Sequence, residues 1–327
     1  MKVAMYYKNN DVRIEEMPLP SISENELLVK VMASSICGSD VLEWYRLPKA
    51  PLVLGHEVSG IVEESKNENF TKGDRVFVTH HVPCNVCKYC LEGHHTACKT
   101  LHTTNFYPGG FSEYLRVPEI NARYGTFKLP DEISFQEGTF IEPLGTVARG
   151  QRIVGLHNAQ NILVIGSGIA GALHVKLAKA SGATVTAADI SDYKLSMAKK
   201  FGADNIINSK NEIKEKFDVV ILCTGALTAA IQALKCVDKG GTILFFGVPT
   251  EDVPMPMNEF WRNSIKITTS YAAAPIDLIK SIELIRSKTL EVKDMITHEM
   301  PLNEAQKGFS LMASGGECMK VILKPHS

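Results

Sequence analysis

A glycine-rich turn between a buried strand and a helix is the feature that most constrains the fold of this chain. The apolar run 161–165 predicts a strand buried on both faces, and a G-x-G-x-x-G sequence follows it directly. A helical pattern then continues to Ala180, with Gly182 placed as its C-terminal cap. The next strand-like run, 184–189, ends in Asp189. Strand, turn, helix and strand in this order predict a parallel sheet with helices on its faces.

The same turn has the residues that a dinucleotide site requires. Glycines let the backbone approach a pyrophosphate, and the start of the helix supplies amide donors. Asp189 lies 21 residues after Gly168, where it would bond both ribose hydroxyls and repel a 2′-phosphate. The motif therefore predicts NAD rather than NADP, and an ordinary glycine-rich turn is the alternative. The predicted NAD contacts are Gly166, Ser167, Gly168, Ile169, Ala170, Gly171, Asp189, Lys194, Thr224, Gly247 and Val248.

Four cysteines within fifteen residues predict a structural zinc site. They follow the spacing Cys-x2-Cys-x2-Cys-x7-Cys in a loop-like segment. Four thiolates this close can occupy all four tetrahedral positions of Zn²⁺ and leave none open for a substrate. The predicted ligands are Cys84, Cys87, Cys90 and Cys98.

A second set of metal-ligand residues comes from three separate segments. Cys37 lies in the first, His56 and Glu57 are adjacent in the second, and Glu142 precedes a proline in the third. A thiolate, an imidazole and a carboxylate suit a catalytic zinc, which keeps one position open. Each residue alone is weak evidence, because a single cysteine is more commonly a small core residue. Their combination with a nucleotide-binding unit favours the metal site.

Composition restricts the partners and the location. The 327 residues suffice for about two domains, and a formal net charge of −1 offers no basic surface to nucleic acid. No run approaches the roughly 18 apolar residues of a membrane span, and the N-terminus lacks the apolar run of a signal peptide. Eight cysteines without such a signal predict a reducing compartment. We therefore expect a cytoplasmic protein that acts on a small molecule.

Together the motifs resemble those of the zinc-dependent medium-chain dehydrogenases, the superfamily of alcohol, sorbitol and threonine dehydrogenases. The matching features are the segment 37–40, the Gly-His-Glu triplet, the four-cysteine lobe, the Glu-Pro pair and the glycine-rich turn. The resemblance implies an α/β protein with a GroES-like β catalytic domain, residues 1–143 and 276–327. It implies an inserted doubly wound Rossmann domain, residues 144–275. It also implies two zinc ions per chain, one catalytic and one structural, and a homodimer or homotetramer.

The resemblance assigns roles to individual residues. Cys37 and His56 match the ligands of the catalytic zinc. Glu57 and Glu142 match two carboxylates whose roles differ across the family, so either is a candidate for the third ligand. Ser39 matches the hydroxyl that takes the proton of the substrate.

Further matches lie around those ligands. Asp40 matches the carboxylate that holds the imidazole of His56 in its metal-binding tautomer. Lys320 matches a basic residue near the Asp40 carboxylate and the cofactor pyrophosphate. Leu42 occupies the position of a histidine that passes the proton outward in many alcohol dehydrogenases. Its absence predicts a route from Ser39 through the cofactor ribose to water.

These matches predict reversible oxidation of a secondary alcohol to a ketone by hydride transfer to NAD. Retention of both carboxylates resembles the polyol branch, whose substrates include sugar alcohols and their phosphates. The alternatives are a threonine- or butanediol-type dehydrogenase, a quinone-reductase-like member without catalytic metal, and a non-enzymatic nucleotide-binding protein. The last two are disfavoured because no zinc ligand is missing. Candidate contacts to a substrate phosphate, for which a solvated surface charge is the favoured alternative, are Arg46, Lys49, Arg149 and Arg152.

Overall fold

The computed structural model describes residues Met1–Ser327 as sixteen strands and eleven α-helices. The strands are β1 (Lys2–Lys8), β2 (Asp11–Glu16), β3 (Leu27–Ser35), β4 (Leu52–Val53), β5 (Glu57–Ser65), β6 (Arg75–Thr79), β7 (Tyr114–Val117), β8 (Thr126–Lys128), β9 (Asn161–Ile165), β10 (Thr184–Asp189), β11 (Asn205–Asn208), β12 (Phe217–Leu222), β13 (Val237–Phe245), β14 (Lys266–Thr269), β15 (His298–Pro301) and β16 (Val321–Lys324). The helices are α1 (Glu43–Arg46), α2 (Lys88–Leu91), α3 (Glu119–Gly125), α4 (Phe135–Gly138), α5 (Ile141–Ile153), α6 (Ile169–Ala180), α7 (Asp192–Lys200), α8 (Leu227–Cys236), α9 (Met257–Asn263), α10 (Pro275–Arg286) and α11 (Ala305–Ser314). None of these helices combines the length and apolar character that crossing a bilayer requires.

The chain divides into two compact units. The first contains Met1–Gly145 and Ala273–Ser327, and the second contains Thr146–Ala272. The first unit has a seven-stranded sheet in the order β15-β16-β3-β5-β6-β8, with β7 also paired to β3, and a three-stranded sheet in the order β2-β1-β4. All pairs in the larger sheet are antiparallel except β15 with β16. The last strand of the chain, β16, thus lies inside the larger sheet, between β15 and β3.

The core of the first unit follows from the alternating pattern of β3. Leu27, Val29 and Val31 are fully buried, and they pack against the valines of β5 and β6. A second cluster joins the smaller sheet to α11, where the ring of Phe309 lies 5.5 Å from that of Tyr6. These two clusters fix the strands that carry the candidate metal ligands.

The run 111–117 has a strand-like sequence, but only Tyr114–Val117 forms a strand. Phe111 is a core residue, but the Ser112 hydroxyl donates to the carbonyls of Gly109 and Tyr114 at 2.7 and 2.8 Å. These bonds bend the backbone, so that β7 begins only at Tyr114.

The second unit is a single parallel sheet. Its order is β11-β10-β9-β12-β13-β14, which is 3-2-1-4-5-6 in chain order within the unit. This is the strand order of dinucleotide-binding folds, and it confirms the predicted parallel sheet. β9 is buried in its interior, as its continuous apolar sequence requires. Gly182 follows the last residues of α6 with a φ of 82°, in the left-handed region that favours glycine.

Candidate metal centres and dinucleotide site

The four predicted cysteines form one closed cluster in the first unit. Their Sγ atoms lie 3.5 Å apart for Cys87 and Cys90, 3.6 Å for Cys84 and Cys98, and 4.0 Å for Cys84 and Cys90. A tetrahedral Zn²⁺ with bonds of about 2.3 Å would hold its sulfurs about 3.8 Å apart. Although burial favours the neutral thiol, backbone N–H donors lower the pKa of Cys98 to about 6, whereas burial raises the pKa of Cys90 to about 12. The spacing and the stabilised thiolate fit a structural zinc ion.

Cys37, His56 and Glu57 form a second cluster. One ligand atom from each lies within 4.8 Å of the others. Strand pairing produces this arrangement, because Ser35 at the end of β3 pairs with Glu57 at the start of β5. The Glu57 Oε1 atom is buried and has no hydrogen-bond partner. An orphaned carboxylate oxygen beside a thiol and an imidazole fits a divalent zinc ion with one open position.

Asp40 fixes the orientation of the His56 imidazole. Its carboxylate is fully buried, with Oδ1 3.3 Å from His56 Nδ1, and Oδ2 accepts from the Cys37 backbone N–H at 3.0 Å. Burial opposes ionisation, but the charges of His56 and Arg46 and the Cys37 N–H lower the pKa of Asp40 below its ordinary value. A proton held on Nδ1 by this carboxylate leaves Nε2 available to a metal.

Lys320 lies on Glu57 instead of the expected Asp40 carboxylate. Both side chains are fully buried, and Lys320 Nζ donates to Glu57 Oε2, which also accepts from the Ser35 hydroxyl. The register explains the difference, because Ile322 of β16 pairs with the same Ser35 that pairs with Glu57. Lys320 lies two positions before Ile322, just ahead of β16, so in extended backbone the two side chains project from the same face. One carboxylate oxygen is therefore neutralised while the other is left without a partner.

Glu142 lies outside the three-residue cluster. It occupies the first turn of α5 and is 8% exposed. Burial raises the pKa of Glu142 to about 7; the neighbouring Glu57 carboxylate adds to this rise, and the charges of His56 and Lys320 oppose it. The sequence left the two carboxylates unranked. The structure brings only Glu57 within reach of an ion shared with Cys37 and His56.

Ser39 lies on the turn that follows Cys37, and Arg46 contacts it. Ser39 Oγ is 3.4 Å from Cys37 Sγ. Arg46 Nη2 donates to Ser39 Oγ at 3.2 Å and to Asp40 Oδ1 at 3.1 Å. The sequence pattern named Arg46 only as one possible phosphate contact. The position of Arg46 follows from α1, a single helical turn that brings residue 46 back over residues 39 and 40.

His80 also lies beside the site, although sequence analysis gave it no role there. Its ring centroid is 4.9 Å from that of His56 and 3.8 Å from that of His81. Burial, followed by the charges of His81, His56 and Arg46, lowers the pKa of His80 well below its ordinary value. A neutral imidazole thus packs against the metal-ligand candidate, at the end of the strand that pairs with β5.

The glycine-rich turn of the second unit has the predicted shape. A Cβ atom added to Gly171 would lie 1.9 Å from the Gly166 carbonyl oxygen, so no side chain fits there. The Asp189 carboxylate is fixed through both oxygens, which accept from the backbone N–H groups of Ser167 at 2.7 Å and Ser191 at 2.9 Å. The turn and the acidic residue are therefore assembled in the way that recognition of a dinucleotide requires.

The other predicted cofactor contacts lie around this turn. A Cβ at Gly168 would be 3.9 Å from Lys194 Nζ, and one at Gly166 would be 3.3 Å from Thr224 Cβ. Gly247 approaches the Thr224 backbone so closely that an added Cβ would lie 2.8 Å from its nitrogen. The neighbouring Val248 is 63% exposed. These residues belong to one end of the sheet, where β9, β12 and β13 finish.

Comparison with known proteins identifies the class to which this fold and these clusters belong. The model of the alcohol dehydrogenase GroES-like domain matches residues 23–131, and the zinc-binding dehydrogenase model matches residues 170–287. The L-threonine 3-dehydrogenase of Bacillus velezensis is 34% identical over 95% of this chain and 95% of its own length. The sorbitol dehydrogenase of Bacillus subtilis is 31% identical over 100% of this chain and 98% of its own. A zinc-binding dehydrogenase of Sinorhizobium meliloti 1021, solved with NADP bound, superposes with a TM-score of 0.88, 26% identity and 99% coverage of both chains.

These matches establish an oxidoreductase of the zinc-binding dehydrogenase type. The chain belongs to the zinc-dependent medium-chain dehydrogenase superfamily. The predicted superfamily is therefore confirmed, as is the fold class of a GroES-like domain with a Rossmann-type parallel sheet. Zinc and a nicotinamide cofactor are the groups that the matches support.

Proposed function

We propose that this protein oxidises a secondary alcohol of the polyol type to a ketone, with NAD as hydride acceptor and zinc as Lewis acid. The observation that carries the proposal is the set Cys37, His56 and Glu57, with its orphaned carboxylate oxygen and the Ser39 hydroxyl beside it. In this assignment residues 1–143 and 276–327 form the catalytic domain, and residues 144–275 bind NAD.

Two zinc ions per chain are proposed, with separate roles. The four-cysteine cluster has no open position, so its ion would stabilise the lobe alone. Cys37, His56 and Glu57 would hold the second ion, which supplies the charge that lowers the pKa of an alcohol group toward neutrality. Asp40 holds His56 in the required tautomer. Lys320 balances the second oxygen of Glu57.

Ser39 is proposed to take the substrate proton. Its hydroxyl oxygen accepts that proton while its own hydroxyl proton passes on toward solvent, so the serine is unchanged after each turnover. The exposed side chain of Leu42 has no group to continue the transfer. Bound NAD supplies the acceptor for the hydride. The glycine-rich turn and Lys194 would fix its pyrophosphate and ribose.

The cofactor preference rests on Asp189. A carboxylate whose two oxygens are already positioned by backbone amides suits the two hydroxyls of an adenine ribose. A 2′-phosphate would place negative charge against it. NAD is therefore proposed for this chain, although a structurally similar dehydrogenase was solved with NADP.

The substrate class rests on the two carboxyl groups at the site. Glu57 would hold the ion through one oxygen and is paired with Lys320 through the other, so a second hydroxyl next to the reacting carbon would find its acceptor in Glu142, whose pKa burial raises to about 7. This favours a vicinal diol such as a sugar alcohol. A 2-amino-3-hydroxy acid is the second candidate, because threonine dehydrogenases are among the relatives and an amine beside the carbinol makes similar contacts.

A homodimer or homotetramer is proposed from the edge of the parallel sheet. β14 pairs only with β13, so its outer backbone groups face no other strand of the chain. Ile267 on β14 is partly exposed, and Trp261 on the preceding helix is 77% exposed. Edge pairing between two copies would cover both features. Sedimentation analysis checks this, and a monomer at micromolar concentration would exclude it.

The central experiment measures NADH formation at alkaline pH with polyols, their phosphates, 2,3-butanediol, threonine and simple alcohols, with NADP in parallel. We expect NADH formation with one class of polyol from this panel. Cys37→Ser and His56→Ala should abolish turnover but leave NAD binding intact, whereas Cys236→Ser removes a buried thiol in the second unit and should remain active. Full activity in either ligand variant would contradict the zinc assignment. Turnover of threonine alone would select the second candidate.

A further inference from the structure

The Arg46 guanidinium makes two hydrogen bonds to Ser39, the proposed proton-transfer residue, and one to Asp40. Nη2 donates to Ser39 Oγ at 3.2 Å and to Asp40 Oδ1 at 3.1 Å, and Nε donates to the Ser39 carbonyl at 3.0 Å. Only 13% of the Arg46 side chain is exposed. A long, flexible side chain gives up considerable rotamer freedom to be held this way, so the arrangement is a specific one.

The segment that carries Arg46 is fixed from both sides. Asn9 donates its backbone N–H to Glu43 Oε1 at 3.0 Å and its amide to the Val41 carbonyl at 2.8 Å. The Tyr45 ring lies 4.7 Å from the guanidinium carbon of Arg46, within the range of a cation–π contact. These contacts hold α1 beside Ser39 and place the Arg46 guanidinium between Tyr45 and the Ser39–Asp40 turn.

The Arg46 guanidinium contacts both the proposed proton acceptor, Ser39, and the carboxylate that orients the metal-ligand candidate His56. Asp40 Oδ1 accepts from Arg46 Nη2 and lies 3.3 Å from His56 Nδ1, so one oxygen joins the arginine to the metal-ligand candidate. Ser39 Oγ has two lone pairs, and Arg46 occupies one of them. The other lone pair is left for the hydroxyl of a substrate.

We propose that Arg46 is a positioning residue that locks the Ser39 hydroxyl and the Asp40–His56 pair into a single network. In the proton transfer the substrate proton moves to Ser39 Oγ, and the proton already on that oxygen leaves for water. Arg46 neither gains nor loses a proton, because its guanidinium stays charged. The expected loss of kcat rests on the proposed function. The expected loss of zinc affinity, which acts through Asp40 and His56, does not.

The chain offers a control in Arg13, which makes the same types of contact although its side chain is 59% exposed. Its guanidinium also pairs with an aspartate, through Nε and Nη2 to Asp11 at 2.8 Å each, and also stacks on a tyrosine, 4.4 Å from the centre of the Tyr7 ring. Arg13 contacts no residue of the candidate site. Arg13→Ala therefore removes the same types of interaction at a distance from the chemistry.

The kinetic test compares Arg46→Ala, Arg46→Lys and Arg13→Ala. We expect Arg46→Ala to lower kcat about 30-fold with KM changed less than threefold, because a misplaced proton acceptor affects the transition state more than binding. Millimolar guanidinium ion should restore part of that kcat. Arg46→Lys should be intermediate, because an ammonium keeps the charge but lacks the fork geometry. Arg13→Ala should turn over as the unsubstituted enzyme, with or without guanidinium. Unchanged kcat in Arg46→Ala, or a loss that guanidinium does not relieve, overturns the kinetic role.

A second readout is independent of any alcohol. The rate at which iodoacetamide alkylates Cys37, followed by peptide mass spectrometry over a series of free zinc concentrations, reports zinc binding at this site separately from the four-cysteine lobe. Because Arg46→Ala removes a hydrogen bond to the carboxylate that orients His56, we expect the zinc affinity of this site to fall about tenfold. Arg13→Ala should leave the zinc affinity unchanged. If no alcohol is oxidised, the proposed function fails while this measurement still decides the role of Arg46. Equal zinc affinity in both variants overturns that role.

Discussion

His174 is buried in the second unit in a way that should make its stability fall in acid. The ring is fully buried on α6, directly behind the glycine-rich turn, and makes an edge contact with Phe246 at 4.6 Å between centroids. Gln151 Nε2 lies 3.3 Å from its Nδ1 and donates to its carbonyl at 2.8 Å. Nδ1 therefore acts as an acceptor, and the proton sits on Nε2, which has no partner. A second proton would place a charge in this apolar setting.

The size of the effect follows from the change in pKa. Burial lowers the pKa of His174 from its ordinary 6.5 to about 3. The unfolded chain takes up the proton below about pH 6.5 and the folded chain does not, so the stabilisation is present above pH 6.5 and is lost as the pH falls. At pH 5, 1.5 units below the ordinary value, the loss amounts to about 2 kcal/mol.

The test is urea unfolding of the native chain and of His174→Asn at pH 8 and pH 5. Asparagine keeps an acceptor near the position of Nδ1 but does not titrate, and the cavity that it leaves costs the same at both pH values. We expect the native chain to lose about 2 kcal/mol more than the variant between the two pH values. A nuclear magnetic resonance titration should show that the His174 ring remains neutral at pH 5. Equal losses in the two proteins, or a ring that titrates near pH 6, would refute the reasoning.

Two further predictions concern the cofactor and the lobe. Asp189→Gly removes both ribose acceptors and the charge that opposes a 2′-phosphate. We therefore expect the ratio of kcat/KM with NAD to kcat/KM with NADP to fall about 100-fold. An unchanged ratio would remove the argument for NAD. If the chain holds the proposed two zinc ions, Cys98→Ser should lower the zinc content to one ion per chain and reduce Tm, whereas Cys236→Ser should change neither. Two zinc ions in Cys98→Ser would show that the four-cysteine lobe is not one of the two sites.

Sequence alone was sufficient where the chemistry is local. The four cysteines span fifteen residues, and the glycine-rich turn is bounded by its own strand and helix, so spacing specifies their geometry. Cys37 and His56 required more, because only the pairing of β3 with β5 brings them together. The sequence still predicted this metal site, because Cys37 and His56 occur together with a nucleotide-binding motif.

The contacts that the sequence did not predict depend on register and on one short turn. Lys320 reaches Glu57 because β16 joins β3 at Ser35, and no local pattern encodes that register. Arg46 reaches Ser39 because α1 is a single turn, too short to leave a helical periodicity. The sequence could not rank Glu142 against Glu57 as the third zinc ligand. Glu57 begins β5, Glu142 lies in the first turn of α5, and both are buried carboxylates. Only distances distinguish them.

The pairing of Glu57 with Lys320 has a consequence for how the protein is made. The two residues are 263 positions apart, and the entire second unit is synthesised between them. Until β16 joins β3, Glu57 has no countercharge, and an unpaired carboxylate opposes its own burial. We expect a growing chain to contain a finished nucleotide-binding unit while the metal-binding unit is still open. The capacity to bind the cofactor would thus appear before the capacity to hold the catalytic ion.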